Sequence, residues 1–234
     1  MTQTSVRENL LRIQERIAGA VARSGRPAEE ITLIGVSKTH PASAIREAYE
    51  AGIRHFGENR IQEWEGKRAG TEGLDATWHL IGHLQSNKTA RAARLFHSID
   101  SVDDLAIAER LDRARAETGI SGKLRVLIEV RVAKEETKSG MGIEELSTAA
   151  RQVADLPRLQ LAGLMCIPPF LEKAEQVRPY FRRLKDLRDE LAATLGLALP
   201  VVSMGMSHDF EVAIEEGATE VRVGTALFGA RDIT

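Results

Sequence analysis

Eight short apolar runs separated by longer amphipathic stretches recur along the chain, and this alternation constrains the fold more than any other feature. The runs cover residues 31–37, 55–57, 78–82, 96–99, 124–132, 161–167, 201–204 and 221–223. Several are rich in Val and Ile and too short for helices, as expected of strands buried on both faces. Helical spacing fills the intervals. Residues 42–51 open after Pro41 and close at Gly52, a Pro-first, Gly-last arrangement. Residues 102–118 carry Leu105, Ala108, Leu111 and Ala114 on one face. Residues 180–195 do the same with Leu184, Leu187 and Leu191, and 210–216 end at Gly217. A further helix over 5–22 precedes the first strand.

Strand–helix alternation requires right-handed crossovers and a parallel sheet. Eight units in 234 residues, near the roughly 250 of a typical (β/α)8 barrel, predict one closed α/β barrel of that type over residues 1–234, with an extra N-terminal helix. No linker, low-complexity tract or charge block divides the chain. In such barrels the chemistry gathers where strands end. The segments to inspect are therefore Ser37-Lys38-Thr39, Gly57-Glu58-Asn59, His79 to His83, Asp100, residues 134–142, Ile167-Pro168-Pro169, Ser203 to Ser207, and Gly224-Thr225.

The 32 basic and 34 acidic residues leave a net charge of −2, which offers no long-range attraction to nucleic acid or an anionic membrane. No apolar run approaches the roughly 20 residues that span a bilayer, and the N-terminus lacks a signal-peptide pattern. The single cysteine, Cys166, fits a reducing compartment. A cytoplasmic protein is the expectation.

Lys38 follows a strongly apolar strand and reads two ways. It is either a loop residue whose stem covers apolar wall, or an amine made nucleophilic by partial desolvation. The last two strands add an anion site. Ser203-Met204-Gly205-Met206-Ser207 leads into a helix, and Gly224-Thr225 follows the final strand, where barrels often bind phosphate. The plainer reading makes Gly205 and Gly224 turn residues and Ser207 a helix cap. Arg222, flanked by Val221 and Val223, must find a partner or face a polar lumen. It is either half of a structural ion pair or a donor to a cofactor's ring nitrogen, whose protonation it would disfavour.

His79 and His83 have zinc-helix spacing, but a strand there holds them more than roughly ten ångströms apart. No metal ligand is assigned. Cys166 reads as a small buried hydrophobe. Glu58 and Asp100 receive no role, and no catalytic residue is assigned.

These segments resemble the YggS/PROSC family of pyridoxal phosphate (PLP) homeostasis proteins. The matching stretches are Val36-Ser37-Lys38-Thr39, Phe56-Gly57-Glu58-Asn59 with Gln62-Glu63, Trp78-His79 with Ile81-Gly82, and Leu84-Gln85-Ser86-Asn87-Lys88. Lys138-Ser139-Gly140, Gly163-Leu164-Met165, Ser203 through Asp209, Arg222-Val223-Gly224-Thr225 and Phe228 through Arg231 extend the match. The resemblance implies the fold-type III PLP barrel of alanine racemase and pyridoxal 5′-phosphate as cofactor. It implies Lys38 as the imine lysine, and Ser203, Gly224 and Thr225, beside Gly205, as the phosphate grip. Arg222 becomes the partner of the pyridine nitrogen, with Asn59 and His79 as cofactor-side residues.

Racemases of this type pair the imine lysine with a tyrosine from a separate β-domain of a partner subunit. This chain ends soon after the eighth strand, and its two tyrosines, Tyr49 and Tyr180, fall in helical patterns on the outside. Lacking a second base costs a proton-transfer contribution of roughly 10²–10⁴-fold. The expected role is therefore PLP buffering and delivery to apo PLP-dependent enzymes by a monomer without turnover, with neither nucleic acid nor membrane as partner. The alternatives are a PLP-dependent racemase or lyase, using Lys38 with His79 or a water, and a phosphate-ligand barrel without PLP. Lys134 and Lys138 are either solvated loop lysines or transient acceptors of the aldehyde.

Overall fold

The computed structural model describes residues 5–133 and 139–229. Its elements run α1 (Val6–Ser24), β1 (Thr32–Val36), α2 (Ala42–Ala51), β2 (His55–Glu58), α3 (Ile61–Arg68), β3 (Thr77–Leu80), α4 (Thr89–Leu95), β4 (Ser98–Val102) and α5 (Leu105–Glu117). They continue with β5 (Leu124–Glu129), α6 (Ile143–Ala154), β6 (Leu159–Met165), α7 (Arg178–Leu195), β7 (Val201–Met206), α8 (Phe210–Glu215), β8 (Glu220–Val223) and α9 (Thr225–Phe228). The eight strands pair in parallel and in chain order, and β8 closes on β1, giving the predicted barrel.

The extra helix α1 starts at Ser5, whose side chain accepts from the Glu8 N–H while the Glu8 carboxylate accepts from the Ser5 N–H. That reciprocal pair satisfies two otherwise unpaired N-terminal donors. Gly25 ends the helix in the left-handed region at φ 69°. Its buried face (Leu10, Ile13, Ile17) packs on the outer ring against α2, α8 and α9.

All eight predicted strands have counterparts, with one informative shift. The run at 96–99 becomes β4 two residues later, because the Phe96 N–H still donates to Ala92 and completes α4. Val102, read from its spacing as a helix start, ends β4. The next helix begins after Asp104, whose side chain accepts the Ala106 N–H. Asp100 is consequently the third residue of β4, fully buried, and not the mouth residue that the spacing suggested.

Most of the core lies between barrel and helices. Trp64 of α3 stacks on Trp78 of β3 at 3.8 Å, and Trp78 on Phe56 of β2 at 5.2 Å. Such contacts add about 0.5–1.5 kcal/mol beyond their burial. The lumen differs. Its apolar cluster is small (Leu127, Ala162 and Met165, with Val201 against it), while His79, Ser98, Asp100, Ser203, Glu220 and Arg222 are buried and polar. Branched aliphatic side chains usually fill this space, so the polar lumen needs its own explanation.

Candidate functional site

The strand ends converge on a cavity of about 590 Å³ at the C-terminal mouth. Lys38, Asn59, Arg222, Gly224 and Thr225 line it, with Val36 and Ile81 as apolar wall. Its size falls within the range of small-ligand sites, and a few polar groups among apolar ones are their usual lining. Five of the eight residues expected at the site therefore meet in one place.

Arg222 forms the floor, only 3% exposed. Its Nη1 donates to Ser203 Oγ at 2.7 Å and its Nη2 to the Cys166 carbonyl at 2.8 Å. Neither partner carries charge, and among the described residues Arg222 forms no ion pair. A buried cation is costly unless compensated, so this guanidinium suits an electron-rich acceptor in the cavity. Its field also reaches Glu129, buried at the end of β5. Burial and the Asp103 charge push the Glu129 carboxyl up to about 7, against the opposing pull of Arg222 and His83.

Lys38 follows β1 inside a tight turn. The His40 N–H donates to the Ser37 carbonyl at 3.1 Å, making Lys38 and Thr39 the two central residues. Thr39 has φ 67°, the one non-glycine residue in the left-handed region among those described. A positive φ at the second central position is the mark of a type II turn, where glycine or asparagine is usual. A β-branched residue there stores strain of order 1–3 kcal/mol.

Behind the turn lies Lys67 of α3. Its Nζ donates to the Ser37 carbonyl at 2.8 Å, to Glu58 Oε1 at 2.9 Å and to Glu63 Oε1 at 2.6 Å. Ser37 Oγ donates to the same Glu58 oxygen at 2.7 Å, and Glu63 Oε1 accepts the Thr39 N–H. Burial raises the Glu58 pKa despite Lys67 beside it. Partial burial would raise that of Glu63 too, but Lys67 and the Thr39 N–H outweigh it and hold the carboxyl below its usual range.

On the opposite side, Gly205 has φ 92°, and a Cβ there would meet Ala213 Cβ at 2.6 Å and Phe210 Cα at 2.9 Å. Glycine thus lets α8 press against β7, and Gly205 shapes the site without lining it. Ser207 Oγ accepts the Ala226 N–H at 3.2 Å, tying the loop after β7 to α9, and Ser207 does line the cavity. The sequence pattern places Ser207 in the anion segment, with a helix cap as its plainer reading. Ile167, in one of the strand-end segments, lies at the exposed rim, and His40, which stacks on Phe228 at 4.9 Å, and the exposed Phe170 also lie at the cavity without having been anticipated. Their only sequence signal is their place one to five residues beyond a strand.

Ser203 and His79 are not on the cavity wall. Ser203 is buried within β7 as the partner of Arg222. His79, wholly buried in β3, receives or gives a hydrogen bond at each ring nitrogen: Nδ1 with Asp100 Oδ2 at 2.8 Å and Nε2 with His55 Nδ1 at 3.0 Å. Arg125 joins this lumen cluster through Glu220 at 2.5 Å and Ser98 at 3.1 Å. Burial works against the Asp100 charge, but His79, Arg125 and Ser98 hold its pKa below the usual carboxylate range. Burial and the Asp100 charge raise that of Glu220, despite Arg125. Burial first, then the neighbouring His79 and Arg125, bring His55 down to about 4.

His79, Asp100 and Glu220 bring ligand-type atoms within 4.8 Å of one another, yet Arg125 already supplies the positive charge there. His83 is instead exposed and pairs with Asp103 at 2.8 Å. Lys134 and Lys138 lie outside the described residues, and no described helix is long and apolar enough to cross a membrane.

Comparison with known proteins fits this geometry. The family described as alanine racemase, N-terminal domain, matches residues 6–232. The chain is 48% identical over 224 residues to the pyridoxal phosphate homeostasis protein of Aquifex aeolicus, covering 96% of this chain and 97% of that one. The protein of the same name from Pseudomonas aeruginosa is 47% identical over 230 residues, covering 98% and 97%. Among solved structures, PipY of Synechococcus elongatus with PLP bound superposes with a TM-score of 0.82 at 44% identity, covering 93% of this chain and 100% of that chain. Alanine racemase of Clostridium difficile superposes with a TM-score of 0.75 at 15% identity, this chain matching 57% of its length, which speaks to fold alone.

Proposed function

The chain belongs to the YggS/PROSC family of pyridoxal phosphate homeostasis proteins, within the alanine racemase N-terminal domain family, and from that membership we propose that it binds pyridoxal 5′-phosphate at the barrel mouth through Lys38, for buffering and delivery. The observation that carries this reading is the pairing of Lys38 with Arg222 in one cavity of about 590 Å³. A primary amine and a buried cation without an ion-pair partner among the described residues suit an aldehyde and a ring nitrogen on the same small molecule.

The bound group would supply an aldehyde for the lysine and a ring able to withdraw electrons. The protein's own residues do the rest. Lys38 presents its amine from the turn after β1. Arg222 would hold a positive charge against the ring nitrogen, which would disfavour protonation there and weaken the ring as an electron sink. Gly224, Thr225 and Ser207 would hold the phosphate where the loop after β7 meets α9, and Asn59 lines the cavity just after β2. Ser203 acts one step removed, by fixing Arg222.

A carrier without turnover fits the placement of the tyrosines. Tyr49 is in α2 and Tyr180 in α7, and neither lines the cavity. Delivery to apo-enzymes, a monomeric state and a cytoplasmic location complete the reading. Cys166 is a buried free thiol whose pKa burial pushes up to about 12, which makes it a packing residue and not a reactive one. The test is to load the protein with PLP, offer it an apo-enzyme, and assay alanine and serine racemisation in parallel. Reactivation of the apo-enzyme without racemisation is expected. Racemisation that disappears in Lys38→Ala would establish the alternative, a racemase.

A further inference from the structure

We propose that Lys67, Glu58 and Glu63 are positioning residues that hold the turn after β1 in the one conformation that aims Lys38 into the cavity. The inference rests on the proposed role of Lys38 and deepens it. It begins with Thr39 at φ 67°. Strain directly beside a candidate nucleophile persists only where its surroundings over-determine the backbone. Here both peptide groups flanking Lys38 are gripped.

The carbonyl before Lys38, that of Ser37, accepts from Lys67 Nζ at 2.8 Å as well as from the His40 N–H. The N–H after it, that of Thr39, donates to Glu63 Oε1. Lys67 ties the two grips together. Its three donors go to Ser37, Glu58 and Glu63, which exhausts an ammonium's capacity. Glu58 anchors the assembly to the sheet, being the fully buried last residue of β2, and it also takes the Ser37 hydroxyl. None of the three residues lines the cavity. The lattice of bonds sits behind the turn, so its effect on chemistry passes through the backbone of residues 37–39.

The chemistry that needs this is condensation. The Lys38 ammonium gives one proton to solvent. The neutral Nζ then bonds to the aldehyde carbon, and the carbonyl oxygen leaves as water with the two remaining amine hydrogens. Attack requires a near-attack geometry, and a displacement of about 1 Å can cost roughly a hundredfold. Non-covalent binding of the ring and phosphate makes no such demand on Lys38.

The experiment separates the two. Wild type, Lys38→Ala, Glu63→Ala, Glu63→Gln and Lys67→Met are mixed with PLP. The rate of imine formation is followed by absorbance, and adduct sites are mapped after borohydride trapping. Calorimetry with the alcohol analogue, pyridoxine 5′-phosphate, reports binding without condensation. Glu63 is partly exposed, so Glu63→Ala keeps the test open if Lys67→Met does not fold. Glu63→Ala should slow imine formation about tenfold or more with unchanged affinity for the alcohol. Glu63→Gln, which keeps an acceptor for Thr39, should recover most of the rate. Imine formation at the wild-type rate in Glu63→Ala, or a parallel loss of alcohol binding, would overturn the positioning role while leaving Lys38 in place. A wild-type protein that forms no imine, or one that forms it equally in Lys38→Ala, would overturn both readings.

Discussion

Arg222 Nη1 and Ser203 Oγ lie 2.7 Å apart across the β7–β8 pair, inside the lumen. The contact decides which way the guanidinium faces, because among the described residues its one other hydrogen bond is to the Cys166 carbonyl. Ser203→Ala would leave a charged donor of the buried Arg222 without its hydroxyl partner. It should lower unfolding free energy by about 1–3 kcal/mol, read from urea denaturation, and weaken PLP binding by letting Arg222 turn. Full stability together with full affinity would show that Ser203 does not hold Arg222.

Removing the cation itself should have opposite effects on stability and binding. Arg222→Met eliminates a buried charge with no ion pair among the described residues, so stability should hold or rise. PLP affinity should fall about tenfold to a hundredfold, the worth of one charge-assisted hydrogen bond. Thermal melts without ligand and spectroscopic titration with it measure the two. Affinity equal to wild type would remove Arg222 from the site.

Thr39→Gly should be stabilising, an uncommon outcome for a glycine substitution. Relief of the strain at φ 67°, of order 1–3 kcal/mol, exceeds the roughly 0.5–1 kcal/mol of added chain entropy. A higher urea midpoint with unchanged slope is expected, and a lower midpoint would show the turn to be unstrained.

Glu129 gives a pH signature. Its carboxyl is raised from an ordinary 4.5 to about 7 by burial first and Asp103 second. Between those values the folded state binds more protons than the unfolded one, so stability falls as pH rises through that window. Below it both states are protonated; above it the full penalty, of order 3 kcal/mol, is present. Glu129→Gln should flatten the wild-type decline between pH 4.5 and 7 and be the more stable protein above it. Parallel pH profiles for the two proteins would contradict the raised value.

The barrel was legible because its cause is local. Short, largely buried runs, several of them rich in Val, Ile and Leu, alternate eight times with helical patterns, and that alternation leaves few topologies. Helices α3 and α4 were not, since each is short and buries only two or three side chains. Lys38, Asn59, Arg222, Gly224 and Thr225 were found because position after or near a strand end predicts the mouth. Asp100 was misplaced for the same reason in reverse, whereas His79, already inside a strand by its sequence, was placed at the cofactor by the resemblance alone. The strand of Asp100 starts two residues later than its apolar run and continues to Val102, which moves that side chain from the rim to the lumen. The Lys67 grip on Ser37 spans 30 residues, and nothing in the linear pattern marks that contact.

The most direct measurement of the central claim is borohydride reduction of the purified protein with PLP, followed by peptide mass mapping. A phosphopyridoxyl adduct on Lys38, absent in Lys38→Ala, is the expected result. No adduct on Lys38 with PLP in excess would contradict it and leave a barrel with an anion site and an unexplained buried arginine.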